Sequence, residues 1–290
     1  MTGLRLIVTA VDGRKGDAQA LQVAAQLAVS HDAVVRVVSV CSDYVADLVN
    51  LGIGLGGSLP PSAVQLLQDA QSEARARIAE DCRSAADDAR IPFGEGETRP
   101  RLLLTPYGRQ NWVDMAVELV LADLLVMSRS SFEARTMHVN DVLGDALLRS
   151  HSAVLVARGG PEKLAGRSAV AWDGSSQAGR AVKAALPLLA RANAVVILQC
   201  PAGLTRDEKV GGDVDRLIEY LAGHGVKTIE RHEVEGEVEG QAIAREADRQ
   251  GVGLLVAGAY GHSRLRQSVF GGATRAFLES ETGPHLLLAH

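Results

Sequence analysis

Aromatic side chains are scarce in this sequence, at 3% of residues, and cysteine is limited to Cys41, Cys82 and Cys200. An odd number of widely spaced cysteines indicates neither a disulfide framework nor a cysteine-built zinc site. No run of about 18 uncharged apolar residues occurs, so no membrane-spanning helix is expected. A basic excess is missing too: 30 Lys and Arg face 35 Asp and Glu, for a formal charge of −5, which argues against a nucleic-acid binder. The opening residues run into a short apolar stretch that Asp12 interrupts. That is too short for a secretory signal and has no cleavage site, so a cytoplasmic location is expected. What is abundant is Ala, Val and Leu, within a 47% hydrophobic composition that excludes disorder as the dominant state. At about 150 residues per domain, 290 residues suggest two domains.

The chain repeats itself. The run LRLIVTAVDG (4–13) returns as RSAVAWDG (167–174), LADLLVMS (121–128) as GVGLLVAG (251–258), and HSAVLVA (151–157) as GPHLLLA (283–289). Two copies of one unit therefore abut. Residues 1–158 form the first domain, 159–166 (GGPEKLAG) a linker and 167–290 the second.

Within each copy, apolar β-rich runs alternate with helical patterns. The first copy reads strand 5–11, helix 17–30, strand 34–40, helix 62–89, strand 99–104, helix 112–121, strand 123–127, helix 140–149 and strand 153–157. The second reads strand 168–172, helix 177–192, strand 194–199, helix 210–223, strand 226–234, helix 238–250, strand 253–257, helix 271–280 and strand 285–289. Near-continuous apolar strands separated by helices imply βαβ units and parallel sheets covered on both faces. The expected architecture is α/β, with two doubly wound, five-stranded, Rossmann-like domains in tandem. Ligands in such folds bind beyond the carboxyl ends of the strands.

Two glycine patterns carry no function. Residues 52–57 (GIGLGG) match the dinucleotide fingerprint but lie more than ten residues past a strand, before Pro60 and Pro61. They read as a loop, with the prolines opening the long helix. Residues 174–181 imitate a phosphate-binding loop but have Arg180 and Ala181 where Lys and a hydroxyl belong. Gly179 there reads as a small residue inside a helix, and Ser175 or Ser176 as its N-cap.

The segment 253–275 (GLLVAGAYGHSRLRQSVFGGATR) is different. Gly258 lets a ligand approach the backbone at a strand end, and Gly261 can take a positive φ in a tight loop. Gly271, Gly272, Ala273 and Thr274 open a helix whose free N–H groups and dipole favour an anion. His262 and Arg264, with Arg266 and Arg275, add hydrogen-bonding or cationic groups beside it. Together these features favour phosphate oxygens.

The spacing Gly-x₂-Gly-x₉-Gly before a helix, with Ala171-Trp172-Asp173-Gly174-Ser175 after the first strand and PHLLLAH (284–290) at the end, resembles the universal stress protein family over essentially the whole chain. The resemblance implies a parallel sheet of order 3-2-1-4-5, with ATP, with or without Mg²⁺, across the strand ends. By matching position, Asp173 and the backbone of Cys200 lie near adenine, while Gly258, Gly261, Gly271, Gly272, Ala273 and Thr274 hold ribose and phosphates. The family usually has Ser or Thr where this chain has Gly272, so one hydroxyl is missing, at about 1 kcal/mol, unless Thr274 supplies it. Pairing of last strands in that family further implies an internal pseudo-dimer, with further homodimerisation open.

The first copy departs further. Ser128 and Ser131 stand where the loop glycines belong, and Asp145 follows Gly144 at the helix start, where its charge repels a phosphate. Its site is expected to be degenerate. Plainer readings stand beside the functional ones: Asp173 as an Asp-Gly turn, the Cys200 thiol as inert core, His262 as a solvated loop residue, Arg264 and Arg266 as ion-pair partners. No nucleophile–base pair and no metal-ligand spacing stands out, and no catalytic residue is assigned. The expected function is an ATP-binding stress-response regulator with an unidentified protein partner. The alternatives are an interaction module that does not bind nucleotide, a slow ATPase, and, less favoured, another α/β enzyme using the same crevice.

Overall fold

The computed structural model describes residues 3–40, 60–105, 111–129, 142–201, 204, 212–236, 238–259, 272–279 and 283–290. The first half runs β1 (Leu6–Val11), α1 (Asp17–His31), β2 (Val34–Ser39), α2 (Pro61–Ala89), β3 (Arg101–Leu104), α3 (Asn111–Leu119), β4 (Leu124–Ser128) and β5 (Val154–Ala157). After a 3₁₀ turn at Pro161–Ala165, the second half runs β6 (Arg167–Ala171), α4 (Ser176–Leu189), β7 (Ala194–Gln199), α5 (Val214–Gly223), β8 (Ile229–Glu233), α6 (Glu239–Arg249), β9 (Val252–Gly258), α7 (Gly272–Glu279) and β10 (His285–Ala289).

All ten strands join one sheet of order β3-β2-β1-β4-β5-β10-β9-β6-β7-β8. Each half has the order 3-2-1-4-5 with parallel neighbours, and the halves meet where β5 pairs antiparallel with β10, Leu155 opposite Leu287. The internal pairing expected of the last strands is present. It removes both of those edges, which would otherwise offer unpaired N–H and C=O groups. The outer edge that remains in the second half, β8, carries Glu230, Arg231 and Glu233, side chains that discourage further strand addition.

The strands read as continuous apolar runs because both sheet faces are buried. Ile7, Leu124, Leu254 and Leu287 belong to one core layer, and their neighbours Val8, Leu125, Leu255 and Leu286 to the other. Alanines 20, 24, 25 and 28 are buried in α1 and let that helix lie close against the sheet. The long helix begins at Pro61 as expected, with Pro60 as its cap. A regular helix over 140–149 does not form throughout its described part: one α-helical turn at 142–144 leads into a π-helical turn at Asp145–Arg149. Gly144, a poor helix former, sits at that junction.

A polar lock ties the linker to the second half. His285 is fully buried, and its Nδ1 accepts from the backbone N–H of Arg158 at 3.0 Å. A backbone amide only donates, so the ring proton sits on Nε2, which donates to the carbonyl of Gly160 at 3.0 Å. Lys163 Nζ donates to the carbonyls of Arg158 and Gly283, each at 2.9 Å. Arg158 Nη2 donates to the carbonyl of Phe277. Burial holds the His285 imidazole well below its ordinary value, at about 4.

Candidate functional crevice at the strand ends of the second half

The strand order of the second half reverses between β6 and β9, so the ends of β6, β7 and β9 border a switch-point crevice. Six of the ten sequence-predicted site residues are among the described residues. Asp173 follows β6 and Trp172. Its Oδ1 accepts from the backbone N–H of Ser175 at 2.8 Å, and Gly174 takes φ +76. This is an Asx turn. Ser175 Oγ then accepts from the backbone N–H of Ala178 at 3.1 Å, capping α4. Cys200, beyond β7, is 1% exposed, with Sγ 4.0 Å from the carbonyl oxygen of Gly236. Its thiol is buried rather than offered to a ligand.

Gly258 ends β9 where α4 begins. A Cβ there would lie 2.6 Å from the backbone nitrogen of Ala178 and 2.9 Å from the carbonyl carbon of Gln177. The missing side chain thus seats α4 against the strand end, a packing reason the sequence did not disclose. In the first turn of α7, Gly272 is exposed, and a Cβ added to it would meet no described residue within 4 Å. Ala273 packs against Gly240 of α6, whose own Cβ would lie 2.5 Å from the Ala273 Cα. Thr274 is 3% exposed, which encloses its hydroxyl rather than offering it freely. Arg275 pairs with Glu279 at 2.6 Å on the helix surface. Gly261, His262, Arg264 and Gly271 lie outside the described residues, as do Arg266 and the 52–57 glycines.

The corresponding loop of the first half is filled from within. Asp17, 1% exposed, turns one carboxylate oxygen back to accept from the backbone N–H groups of Asp12 (2.9 Å) and Gly13 (2.6 Å). Its other oxygen meets no hydrogen-bond partner among the described residues. Burial, and then the neighbouring charge of Asp12, push the Asp17 carboxyl up to about 7. Burial also raises Asp12, against the opposing pull of Arg14. Helix α2 covers the loop: Ala74 Cβ lies 2.9 Å from where a Gly13 Cβ would stand, and Arg77 Nε donates to the Gly13 carbonyl at 3.2 Å. Ser128 is buried at the end of β4, and Asp145 pairs with Arg149 at 3.2 Å. Ser131 lies outside the described residues.

Sequence reasoning missed Asp17. The signal was present, because the aligned position of the second copy is Ala178, whose methyl has no acceptor to offer the loop amides. The covering role of α2 was legible only as a length difference, 29 residues against 10 in α5. Among the described residues no His, Cys, Asp and Glu group is placed to hold a metal ion, and no helix is long and apolar enough to cross a membrane.

The sequence matches no family model and no curated protein. Among solved structures, a universal stress protein from Archaeoglobus fulgidus DSM 4304 superimposes with a TM-score of 0.66 at 12% identity, covering 99% of this chain and 97% of that one. Universal stress protein UspA from Lactobacillus plantarum aligns at 16% identity over 43% of this chain and 98% of its own, with a TM-score of 0.34. With its five-strand order present twice and the Archaeoglobus structure matched over nearly its full length, this chain has the fold of the universal stress proteins.

Proposed function

We propose that this protein is a stress-response regulator of the universal stress type that binds ATP, with or without Mg²⁺, in its second half only. It would act in the cytoplasm, and nucleotide occupancy would select its conformation or protein partner. The observation that carries the reading is the contrast between the two halves. In the first half Asp17 takes the amides of Asp12 and Gly13 and Asp145 stands at the start of the turn that follows β4, whereas the second half has Ala178 at the position of Asp17 and an exposed Gly272 at the start of α7, where an added Cβ would meet no described residue within 4 Å. Main-chain N–H groups at that helix start suit phosphate oxygens. Asp173, the Cys200 backbone and the segment from Gly258 through Gly261, His262, Arg264, Gly271 and Gly272 to Thr274 are the proposed contacts. Neither an ATPase nor another hydrolytic role is needed for this reading.

A second reading has its own support. Gly258 is explained by the seating of α4, and Asp173 by its turn, without any ligand. On that reading the chain is an interaction module of the same fold that does not bind nucleotide. Mass spectrometry of the protein as purified separates the two. Co-isolated ATP or AMP, lost in Gly261→Val and Gly271→Glu variants, supports the first. Nucleotide-free protein that also fails to take up added ATP supports the second.

A further inference from the structure

The two halves also differ in how their first pair of helices meets. In the first half α1 packs along the 29-residue α2. In the second half the 10-residue α5 stands off from α4, and a cavity of about 250 Å³ opens between them. Its wall is largely apolar, built from Trp172, Val182, Leu217 and Tyr220. Gly179 lies within α4 on this wall, and a Cβ there would meet no described residue within 4 Å. A glycine inside a helix is unfavourable and usually answers to a close neighbour. Among the described residues there is none, and its smallness leaves this side of the cavity open.

The polar groups at this cavity have one net sign. Lys183 and Arg216 line it, and neither makes a hydrogen bond or ion pair with the described residues. Asp213 opposes them, with one oxygen already accepting from the backbone N–H of Asp215 at 2.9 Å as the α5 cap. The result is two cations against one carboxylate beside an apolar wall. Trp172 adds an indole Nε1 that is buried without an acceptor among the described residues. Apolar walls with a few convergent polar groups are the usual build of a small-molecule site.

We propose that the cavity between α4 and α5 is a second binding site, separate from the nucleotide crevice, for a compact organic carboxylate with an apolar ring or short chain. The apolar body lies against Trp172, Val182, Leu217 and Tyr220, and the carboxylate meets Lys183 and Arg216. The single surplus positive charge matches a monoanion better than a polyphosphate. This inference does not rest on the ATP reading.

The test uses phenylacetate and its neutral counterpart phenylacetamide as probes. The chain has two tryptophans, so a Trp112→Phe variant reports from Trp172 alone, and calorimetry on the unaltered chain gives an independent readout. Phenylacetate is expected to bind, to shift the Trp172 emission, and to bind about tenfold more tightly than phenylacetamide. The Lys183→Met/Arg216→Met double variant should lose about tenfold in affinity for phenylacetate and little for the amide. Gly179→Leu should abolish binding while leaving the circular dichroism and melting temperature of a folded protein, because leucine is the better helix former. Saturating Mg-ATP should leave phenylacetate affinity unchanged. Equal binding of acid and amide, undiminished binding in Gly179→Leu, displacement by Mg-ATP, or no heat and no emission change with the folded chain would each overturn the proposal.

Discussion

Replacing Asp17 by asparagine isolates the carboxylate that fills the first half's loop. In the folded chain its carboxyl is raised from the ordinary 3.8 to about 7 by burial and by Asp12. Between those values the folded state holds a proton that the unfolded state has released, so stability falls as pH rises through this window and levels off above about 7. The full span corresponds to about 4 kcal/mol, and the part lying between about pH 5 and about pH 8 to about 2–3 kcal/mol. The asparagine side chain of the Asp17→Asn variant can still present a carbonyl oxygen to the N–H groups of Asp12 and Gly13, but it does not titrate. Its amide nitrogen takes the place of an oxygen that already has no partner among the described residues, so any penalty there is the same at every pH. The stability of Asp17→Asn relative to the parent should therefore improve by about 2–3 kcal/mol from about pH 5 to about pH 8, whatever its offset at the acidic end. Urea denaturation followed by circular dichroism across that range measures it. Asp12→Asn serves as a companion, since removing that charge should shrink the pH effect. Parallel stability curves for parent and Asp17→Asn would refute the buried, proton-holding role of Asp17.

Three further perturbations probe the frame. His285 is held at about 4 against an ordinary 6.5, so its share of stability is intact at neutral pH and is lost as pH falls from about 6.5 to about 4, amounting to about 3 kcal/mol. His285→Ala should destabilise by about 2–4 kcal/mol at neutral pH and flatten that acid limb, both read by urea denaturation. Gly258→Val should lower stability by about 1–3 kcal/mol, because its side chain meets the backbone of Gln177 and Ala178; an unchanged melting temperature would contradict the seating of α4. Leu287→Asp places a charge at the β5–β10 seam opposite Leu155 and should destabilise by about 3–5 kcal/mol, with limited proteolysis cutting in both halves.

The fold was legible in the sequence because burial on both sheet faces leaves an unmistakable trace: runs such as LLV at 124–126 and LLVA at 254–257 alternate with helical patterns, and the copies align by eye. The antiparallel seam followed from the family resemblance together with the need to cover two sheet edges. Local capping was also legible, since Ser175 and Pro60 act through their immediate neighbours. Non-local packing was not. That Gly258 yields to α4, that Gly240 yields to Ala273, and that Ala74 and Arg77 close over Gly13 depends on contacts between residues far apart in the chain. A glycine needed for close packing and one needed for a ligand look alike in sequence, and Gly258 shows how one reading conceals the other. Asp17 was overlooked for a related reason: an acidic residue in a helix's first turn is ordinary, and only the opposing Ala178 of the second copy marks it as special.

The central claim, one nucleotide site carried by the second half, is tested most directly by the stoichiometry of calorimetric titration with Mg-ATP. One ATP per chain is expected, unaffected by Ser128→Ala and abolished by Gly271→Glu. Two equivalent sites, or no binding to folded protein, would contradict it.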